Sequence, residues 1–302
     1  MSEAAPGRAP LGVWALLLAG LLSLGASAIL IRYAGDVPAV AVAAWRTIFA
    51  TAVLAPWAAR YARSEIRAFA ARDWALVTAS GVLLGAHFVA WIASVNLTTV
   101  ASASVLVTTS PVFIAILGAL VLKERTSRRV VAGIVVAVAG AVMIAVGEGG
   151  DGGARPDATL GNVLALGAAL VVSVYLLIGR AVRQRTSFLA YFVPVNAFAA
   201  VTTVVACLLT GTPLGLPAPA LLICLAIALG PGLLGHGSFT VALGYLPAAF
   251  LGLLTLAEPV VASALALVLF EERPAPLALA GIVVVILAIG TVVVSRSGAP
   301  AD

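Results

Sequence analysis

Four ionisable side chains inside long apolar runs are the groups of this sequence that could do chemistry: Arg46, His87, His236 and Glu258. A charge within a lipid bilayer costs about 2.5–3.5 kcal/mol, so such groups usually face a cavity or a partner. The planar guanidinium of Arg46 could hold the carboxylate of a substrate through two hydrogen bonds. It could equally pair with Glu258, with Asp36 or with free helix carbonyls. Arg46 is therefore a candidate substrate-binding residue with a structural alternative.

Glu258 is followed directly by Pro259, and the two form a second candidate site. Proline removes a backbone N–H and frees a carbonyl one turn back, which leaves polar backbone beside the carboxyl group. Because a carboxyl group away from water favours its neutral form, Glu258 could couple transport to protons or bind a substrate amine. The alternative is a structural carboxylate bonded to neighbouring helices. Pro111 lies in a similar apolar run, and we expect both helices to bend at their prolines and line the substrate path as gating elements.

The two histidines also carry neighbours at helical spacing. His87 has Trp91 one turn later, and His236 has Thr240 at the same spacing, so each helix presents a polar or aromatic stripe. These imidazoles could bind a substrate or relay protons, or they could be structural groups with satisfied hydrogen bonds. Polar side chains of this kind also hold helices together. The remaining substrate-binding candidates are Trp45, Tyr175 and Asn196.

Motifs for nucleotide, metal or nucleophile chemistry are missing from the sequence. Residues 147–150 are Gly-rich but lack the Lys-Ser/Thr pair of a phosphate-binding loop. Cys207 and Cys224 are expected to be small core residues rather than metal ligands or a disulfide. The arginines fall in short runs between apolar stretches, whereas nucleic-acid binding needs a basic face. We therefore expect no catalytic residue, no cofactor, no metal and no nucleic-acid partner.

Ten apolar runs of about 20 residues must position these groups, and each is long enough to cross roughly 30 Å of hydrocarbon. The chain is 63% hydrophobic and only 10% charged, whereas a soluble domain has about a quarter of its residues charged. Continuous apolar runs without two-residue alternation predict helices. The predicted fold is therefore an all-α integral membrane protein with ten transmembrane helices. The predicted spans are 11–31, 38–60, 74–95, 98–122, 128–147, 159–180, 188–210, 219–243, 246–270 and 275–295.

The first predicted span has features of a signal peptide. It follows Arg8 and contains the sequence Ala-Ser-Ala at 26–28, which is typical of a cleavage site. The apolar run nevertheless continues to full spanning length. We expect it to remain as the first helix.

Basic residues predict the orientation. If the N-terminus is cytoplasmic, 13 of the 17 Lys and Arg residues fall in cytoplasmic segments, three fall outside and Arg46 lies within a span. This asymmetry follows the positive-inside rule and places both termini in the cytoplasm. The Gly-rich residues 148–158 then form an external linker. A composition rich in Ala and Arg, with Lys123 as the only lysine, favours a bacterial inner membrane.

The second half of the chain repeats the first. Residues 94–143 resemble residues 242–291 at a shift of 148 positions. Each copy holds five spans, an odd number, so the second copy must lie upside down relative to the first, as in many secondary transporters. We predict two inverted five-helix repeats, residues 1–147 and 159–302. The matched features are Pro111 with Pro259, the Glu-Arg pairs at 124–125 and 272–273, the sequence Ala-Gly-Ile-Val-Val at 132–136 and 280–284, and, with a one-residue gap, His87 with His236.

Glycines within the predicted spans indicate two structural roles. Gly133, Gly140 and Gly281 are expected where two helices pack closely, because a small residue lets the backbones approach. Gly230 and Gly232 flank Pro231 in the eighth span. We expect a break or hinge there.

The repeated motifs have a recognisable pattern. The fourth and fifth spans carry Ser-Pro-Val at 110–112, Leu-Lys-Glu-Arg at 122–125 and then Gly133; the ninth and tenth carry Glu-Pro-Val at 258–260, Phe-Glu-Glu-Arg at 270–273 and then Gly281. In both halves this pattern resembles an EamA domain of the drug/metabolite transporter superfamily, and the resemblance covers nearly the whole chain. It implies a transporter fold whose relatives carry amino acids, sugars and other metabolites, often outward.

The function predicted from these features is secondary transport, with export of small metabolites such as amino acids through a midplane cavity between the repeats. The expected partners are a small-molecule substrate and the lipid bilayer, and the protein is expected to act as a monomer or a homodimer. One alternative is a membrane-embedded enzyme acting on a lipid or isoprenoid, although such enzymes usually show an acidic pair or a His/Asp cluster at a membrane face. Another is a sensor or assembly subunit, which the lack of a soluble domain disfavours.

Overall fold

The computed structural model describes residues 9–98, 103, 106–123, 126–148, 157–270 and 273–297. All regular elements within these residues are helical. Several of the predicted spans are divided into two or more shorter helices that follow one another in the chain. In chain order the elements are α1 Leu11–Gly25, α2 Ser27–Tyr33, α3 Ala39–Tyr61, α4 Arg63–Arg67, α5 Ala71–Leu97, α6 Ser110–Leu117 with a π-helical end Gly118–Leu122, α7 Arg128–Glu148, α8 Ala158–Arg183, α9 Phe188–Thr210, α10 Ala218–Ile227, the π-helix Ala228–His236, α11 Gly237–Ala242, α12 Ala248–Thr255, α13 Glu258–Phe270 and α14 Pro276–Ser297.

Eight helices in the described part of the chain are long and apolar enough to cross a membrane. They correspond to eight of the ten predicted spans. The fourth predicted span corresponds to a shorter apolar helix, Ser110–Leu122, and the fifth corresponds to α7, a helix of 21 residues. The chain is a multi-pass membrane protein.

Both prolines of the repeated motif begin a helix rather than interrupt one. Pro111 lies in the first turn of α6, directly after a turn that ends at Thr109. Pro259 is the second residue of α13, and a turn at residues 256–257 separates it from α12. Each predicted span is interrupted directly before its proline motif, where a bend was predicted, and the gating role of the two prolines stays a prediction. The first turn of a helix accepts proline because the missing N–H would have no intrahelical partner there.

The helix is not interrupted at Pro231, where the sequence predicted a break or hinge. The segment Gly230–Gly232 lies inside the π-helix, which continues α10 into α11 without interruption. A proline ring clashes with the carbonyl one turn back in an α-helix. The wider π-helical turn relieves that clash.

Glycines bring helices of the two halves into close contact, as predicted. A Cβ atom at Gly140 of α7 would lie 2.9 Å from the carbonyl oxygen of Gly281 in α14, and one at Gly281 would lie 2.5 Å from the Gly140 carbonyl oxygen. Gly133 meets a side chain of α14 in the same way, with Val292 Cγ2 at 2.6 Å. Elsewhere α5 packs along α8 and α9, α9 packs along α3, and α1 packs against the π-helix. The central helices are thereby held around one cavity.

Candidate functional site

A cavity lies among the central helices, and both halves of the chain contribute to its wall. The empty space between the walls is about 1010 Å³, including the part that is open to the outside. Six of the ten residues predicted as substrate-binding, coupling or gating groups line it. The wall comprises Leu24, Gly25, Ser27, Arg46, His87, Phe88, Trp91, Val107, Thr108, Ser110, Val172, Leu176, His236, Phe239, Thr255, Glu258, Pro259 and Ala262.

Arg46 lies on α3 and is only 3% exposed. Its Cζ atom sits 3.7 Å from the centroid of the Phe88 ring, a cation–π contact. Nη2 is buried without a hydrogen-bond partner, and the structure shows no ion pair between Arg46 and any described residue. The alternative that Arg46 pairs with Glu258 or Asp36 is not what the structure shows. A buried, unpaired guanidinium beside a cavity is available to an anionic ligand group.

The two histidines, which are equivalent in the repeat, meet across the cavity wall. Their ring centroids are 6.3 Å apart, and Phe88 contacts both, at 5.4 Å from His87 and 5.2 Å from His236. Nδ1 of His87 lies 3.0 Å from the carbonyl oxygen of Ala168. A carbonyl oxygen only accepts hydrogen bonds, so Nδ1 carries the proton and, in the neutral ring, Nε2 is the acceptor. The histidine pair therefore offers the cavity a hydrogen-bond acceptor beside the Arg46 cation.

Glu258 begins α13 and lines the same cavity. The described part of the chain supplies no hydrogen bond or ion pair to its carboxylate. A carboxylate in the first turn of a helix is favoured by the helix dipole, which gives Glu258 a structural role as well. The helix start is held close to α1, since a Cβ atom at Gly25 would lie 3.3 Å from the Glu258 carbonyl oxygen.

The remaining wall combines apolar surface with a few hydroxyl groups. Trp91, Val172, Leu176 and Phe239 supply the apolar part. The Thr255 hydroxyl donates to the carbonyl of Gly252 one turn back. Such a wall suits a ligand with an apolar portion and a small number of polar groups. Hydroxyls from Ser27, Thr108 and Ser110 also border the cavity.

Four predicted residues lie outside the cavity wall, and three of them make structural hydrogen bonds. Trp45 donates from Nε1 to the carbonyl of Leu214 at 2.9 Å, in the loop after α9. The Tyr175 hydroxyl lies 3.2 Å from that of Thr240 in the core. The remaining two are Asn196, which donates to the Phe192 carbonyl within its own helix, and Pro111, which packs against Gly252.

Phe88 is the main wall residue that sequence reasoning missed. It neighbours His87 in the chain, but an aromatic residue in an apolar helix is usually core packing. Its cation–π contact with Arg46 depends on the distance between α5 and α3, and the sequence does not predict that distance. Ser27 and Thr255 were missed for the same reason, because each comes from a different helix end.

Fold and site together define a multi-pass membrane protein in which two related halves surround a cavity whose mainly apolar wall carries a few polar and charged groups. The chain matches the EamA-like transporter family twice, over residues 11–146 and 159–294. It belongs to that family, and the resemblance to the drug/metabolite transporter superfamily inferred from the repeated motifs is confirmed.

Solved structures agree on the fold. Among 29 matching chains, one crystal structure has a TM-score of 0.78 with this chain at 20% sequence identity, covering 96% of this chain and 100% of its own. At that identity the likeness shows the fold alone. No curated protein matches the sequence of this chain.

Proposed function

We propose that this membrane transporter is a secondary exporter of small zwitterionic metabolites such as amino acids. The observation that carries the proposal is a pair of opposite charges, Arg46 and Glu258, that line one cavity without pairing with each other or with another described residue. Taking a charge out of water costs several kcal/mol when no partner compensates. A ligand that supplies both countercharges offsets both costs.

An amino acid has the matching chemistry. Its carboxylate fits the guanidinium fork of Arg46, and its ammonium group fits the carboxylate of Glu258. The apolar side chain would contact Trp91 and Phe239, which line the same wall. A phosphorylated sugar would need several cations, and Arg46 is the one Lys or Arg residue among the lining residues in the described part of the chain.

The two charges belong to different halves of the chain, which suggests how binding drives transport. Arg46 lies in the first family match and Glu258 in the second. A zwitterion that contacts both would draw the halves together, whereas an empty cavity keeps two unpaired charges that resist closure. This arrangement supports alternating access by two inverted five-helix repeats.

The proposed location is a bacterial inner membrane, with ten spans and both termini in the cytoplasm. The support is the excess of Lys and Arg in the predicted cytoplasmic segments. Single-cysteine labelling at position 152 in a Cys207→Ser, Cys224→Ser background checks it. We expect labelling from the outside, and labelling from the cytoplasm would contradict the inverted topology.

Counterflow in proteoliposomes tests the substrate class. Vesicles loaded with unlabelled amino acid should accumulate labelled leucine, while its amine analogue (3-methylbutylamine) and its acid analogue (4-methylpentanoate) should compete at least tenfold more weakly, because each satisfies only one of the two charges. Equal competition by either analogue would exclude the zwitterion site. No counterflow with any amino acid would exclude the substrate class.

A further inference from the structure

The C-terminal end of α3 and the short helix α4 form a basic pocket at the end of a membrane-spanning helix. It is lined by Ala59, Arg60, Arg63, Ser64 and Arg67, and all three arginines are exposed. Since α3 ends at Tyr61 and α4 follows after one residue, the chain turns so that arginines of both helices border one pocket. The pocket is separate from the substrate cavity and shares no lining residue with it.

The carboxylates of this region are committed to other partners. Oε1 of Glu65 accepts a hydrogen bond from the backbone N–H of Ser187 at 2.6 Å. Oδ1 of Asp73 lies 2.7 Å from Arg185 Nη2 in an ion pair, and its Oδ2 accepts from the backbone N–H of Ala70. As a result, none of the three pocket arginines has a carboxylate partner within the described ranges.

Exposed aromatic rings mark the depth of the pocket in the membrane. Trp57 and Tyr61 lie on the last two turns of α3 and are 53% and 71% exposed. The Arg60 guanidinium sits 5.5 Å from the Tyr61 ring centroid. Tryptophan and tyrosine concentrate at the headgroup level of bilayers. Arg60 lies between these rings in the chain, and Arg63 and Arg67 follow them, so we expect the three arginines at the level of the lipid headgroups.

We propose that this pocket binds the phosphate of an anionic phospholipid headgroup. Guanidinium groups bind phosphate oxygens through paired, charge-assisted hydrogen bonds, and basic pockets beside membrane spans attract anionic lipids. The flanking rings favour a lipid over free phosphate, because they place the acyl chains against exposed aromatic surface. Ser64 adds a hydroxyl donor to the pocket.

The purified full-length protein in neutral detergent tests the site by titration with short-chain phosphatidylglycerol, phosphatidylcholine and inorganic phosphate, with the melting temperature as the readout. The triple variant R60Q/R63Q/R67Q removes the pocket cations. The matched control R128Q/R129Q/R273Q removes three exposed arginines elsewhere. Because the protein is purified, the result does not depend on its orientation in cells.

Phosphatidylglycerol should stabilise the wild type and the control variant alike. The pocket variant should bind it on the order of 100-fold more weakly, and each single Arg→Gln variant about fivefold more weakly, since one arginine at a membrane surface contributes about that factor. If the triple variant does not purify, the single variants decide. Equal binding of phosphatidylcholine, equal loss in the control variant, or an equal response to inorganic phosphate would each overturn the proposal.

Discussion

The substitution Arg46→Met separates a substrate anchor from a structural arginine. Methionine keeps an unbranched side chain but removes the cation and all its donors. A hydrogen bond to a charged group contributes about 1.5–3 kcal/mol, so losing the carboxylate contact should weaken substrate binding by roughly 10- to 150-fold. We expect that loss in the dissociation constant of the amino acid.

Arg46→Met should not destabilise the protein, whereas removing one partner of a structural ion pair would. The cation–π contact with Phe88 contributes about 2 kcal/mol or slightly more, because it is buried. Burial of a charge without a partner costs several kcal/mol, and Nη2 of Arg46 has no hydrogen-bond partner in the described structure. The cost of burying the charge exceeds the gain from the cation–π contact, so the unliganded Arg46→Met protein should melt at the wild-type temperature or above it.

Trp45 provides the matched control, because it neighbours Arg46 but bonds to Leu214 away from the cavity. Trp45→Phe should lose about 1 kcal/mol of stability with one hydrogen bond and keep full substrate affinity. Binding is measured by ligand-dependent thermal shift and confirmed by counterflow. Wild-type affinity in Arg46→Met, or a strong loss of its stability, would refute the assignment of Arg46 as the carboxylate anchor.

Three further changes test other parts of the structure. Glu258→Gln should abolish proton-driven accumulation, whereas counterflow, which needs no net proton movement, should persist at saturating substrate with an affinity about tenfold weaker, because the ammonium contact is lost; unchanged pH dependence in a folded variant would end the coupling hypothesis. A double-mutant cycle of Asp73→Asn and Arg185→Gln, scored by melting, should give a coupling of about 0.5–1 kcal/mol, because this 2.7 Å pair is partly exposed; additive single effects would show that the pair contributes nothing. Gly140→Ala should destabilise by about 1–3 kcal/mol, because its methyl would lie 2.9 Å from a carbonyl oxygen of the neighbouring helix. Gly290→Ala, with open space around it, should be neutral or slightly stabilising, and equal effects at the two glycines would contradict the packing argument.

Helix positions were accessible from sequence because lipid imposes simple rules. An apolar run of spanning length has to satisfy its own backbone hydrogen bonds, so it forms a helix. Local breaks were less accessible. The sequence cannot distinguish Pro111, which begins a helix, from Pro231, which a π-helix accommodates. Both outcomes depend on which neighbouring helix constrains the backbone, and that is a tertiary property.

The candidate site also has features that the sequence predicts and features that depend on tertiary packing. An ionisable side chain within an apolar run was enough to select Arg46, His87, His236 and Glu258. Burying such a group in the membrane is costly, so it usually faces a cavity or a partner. The sequence alone also established the duplication and the family, since a shift of 148 residues aligns the repeated motifs. These features follow from residue type and order, and no packing is needed to see them.

Only the tertiary structure decided which polar groups share a cavity and which are bonded elsewhere. Trp45 and Asn196 looked as suitable as Trp91, yet their donors are used by backbone carbonyls outside the cavity wall. Phe88 forms a cation–π contact with Arg46 because α5 and α3 bring the Arg46 Cζ atom within 3.7 Å of the Phe88 ring centroid. Such contacts join residues far apart in the chain, and the small residues that let helices approach set their distances. Helical periodicity reports the face of one helix and says nothing about what that face meets.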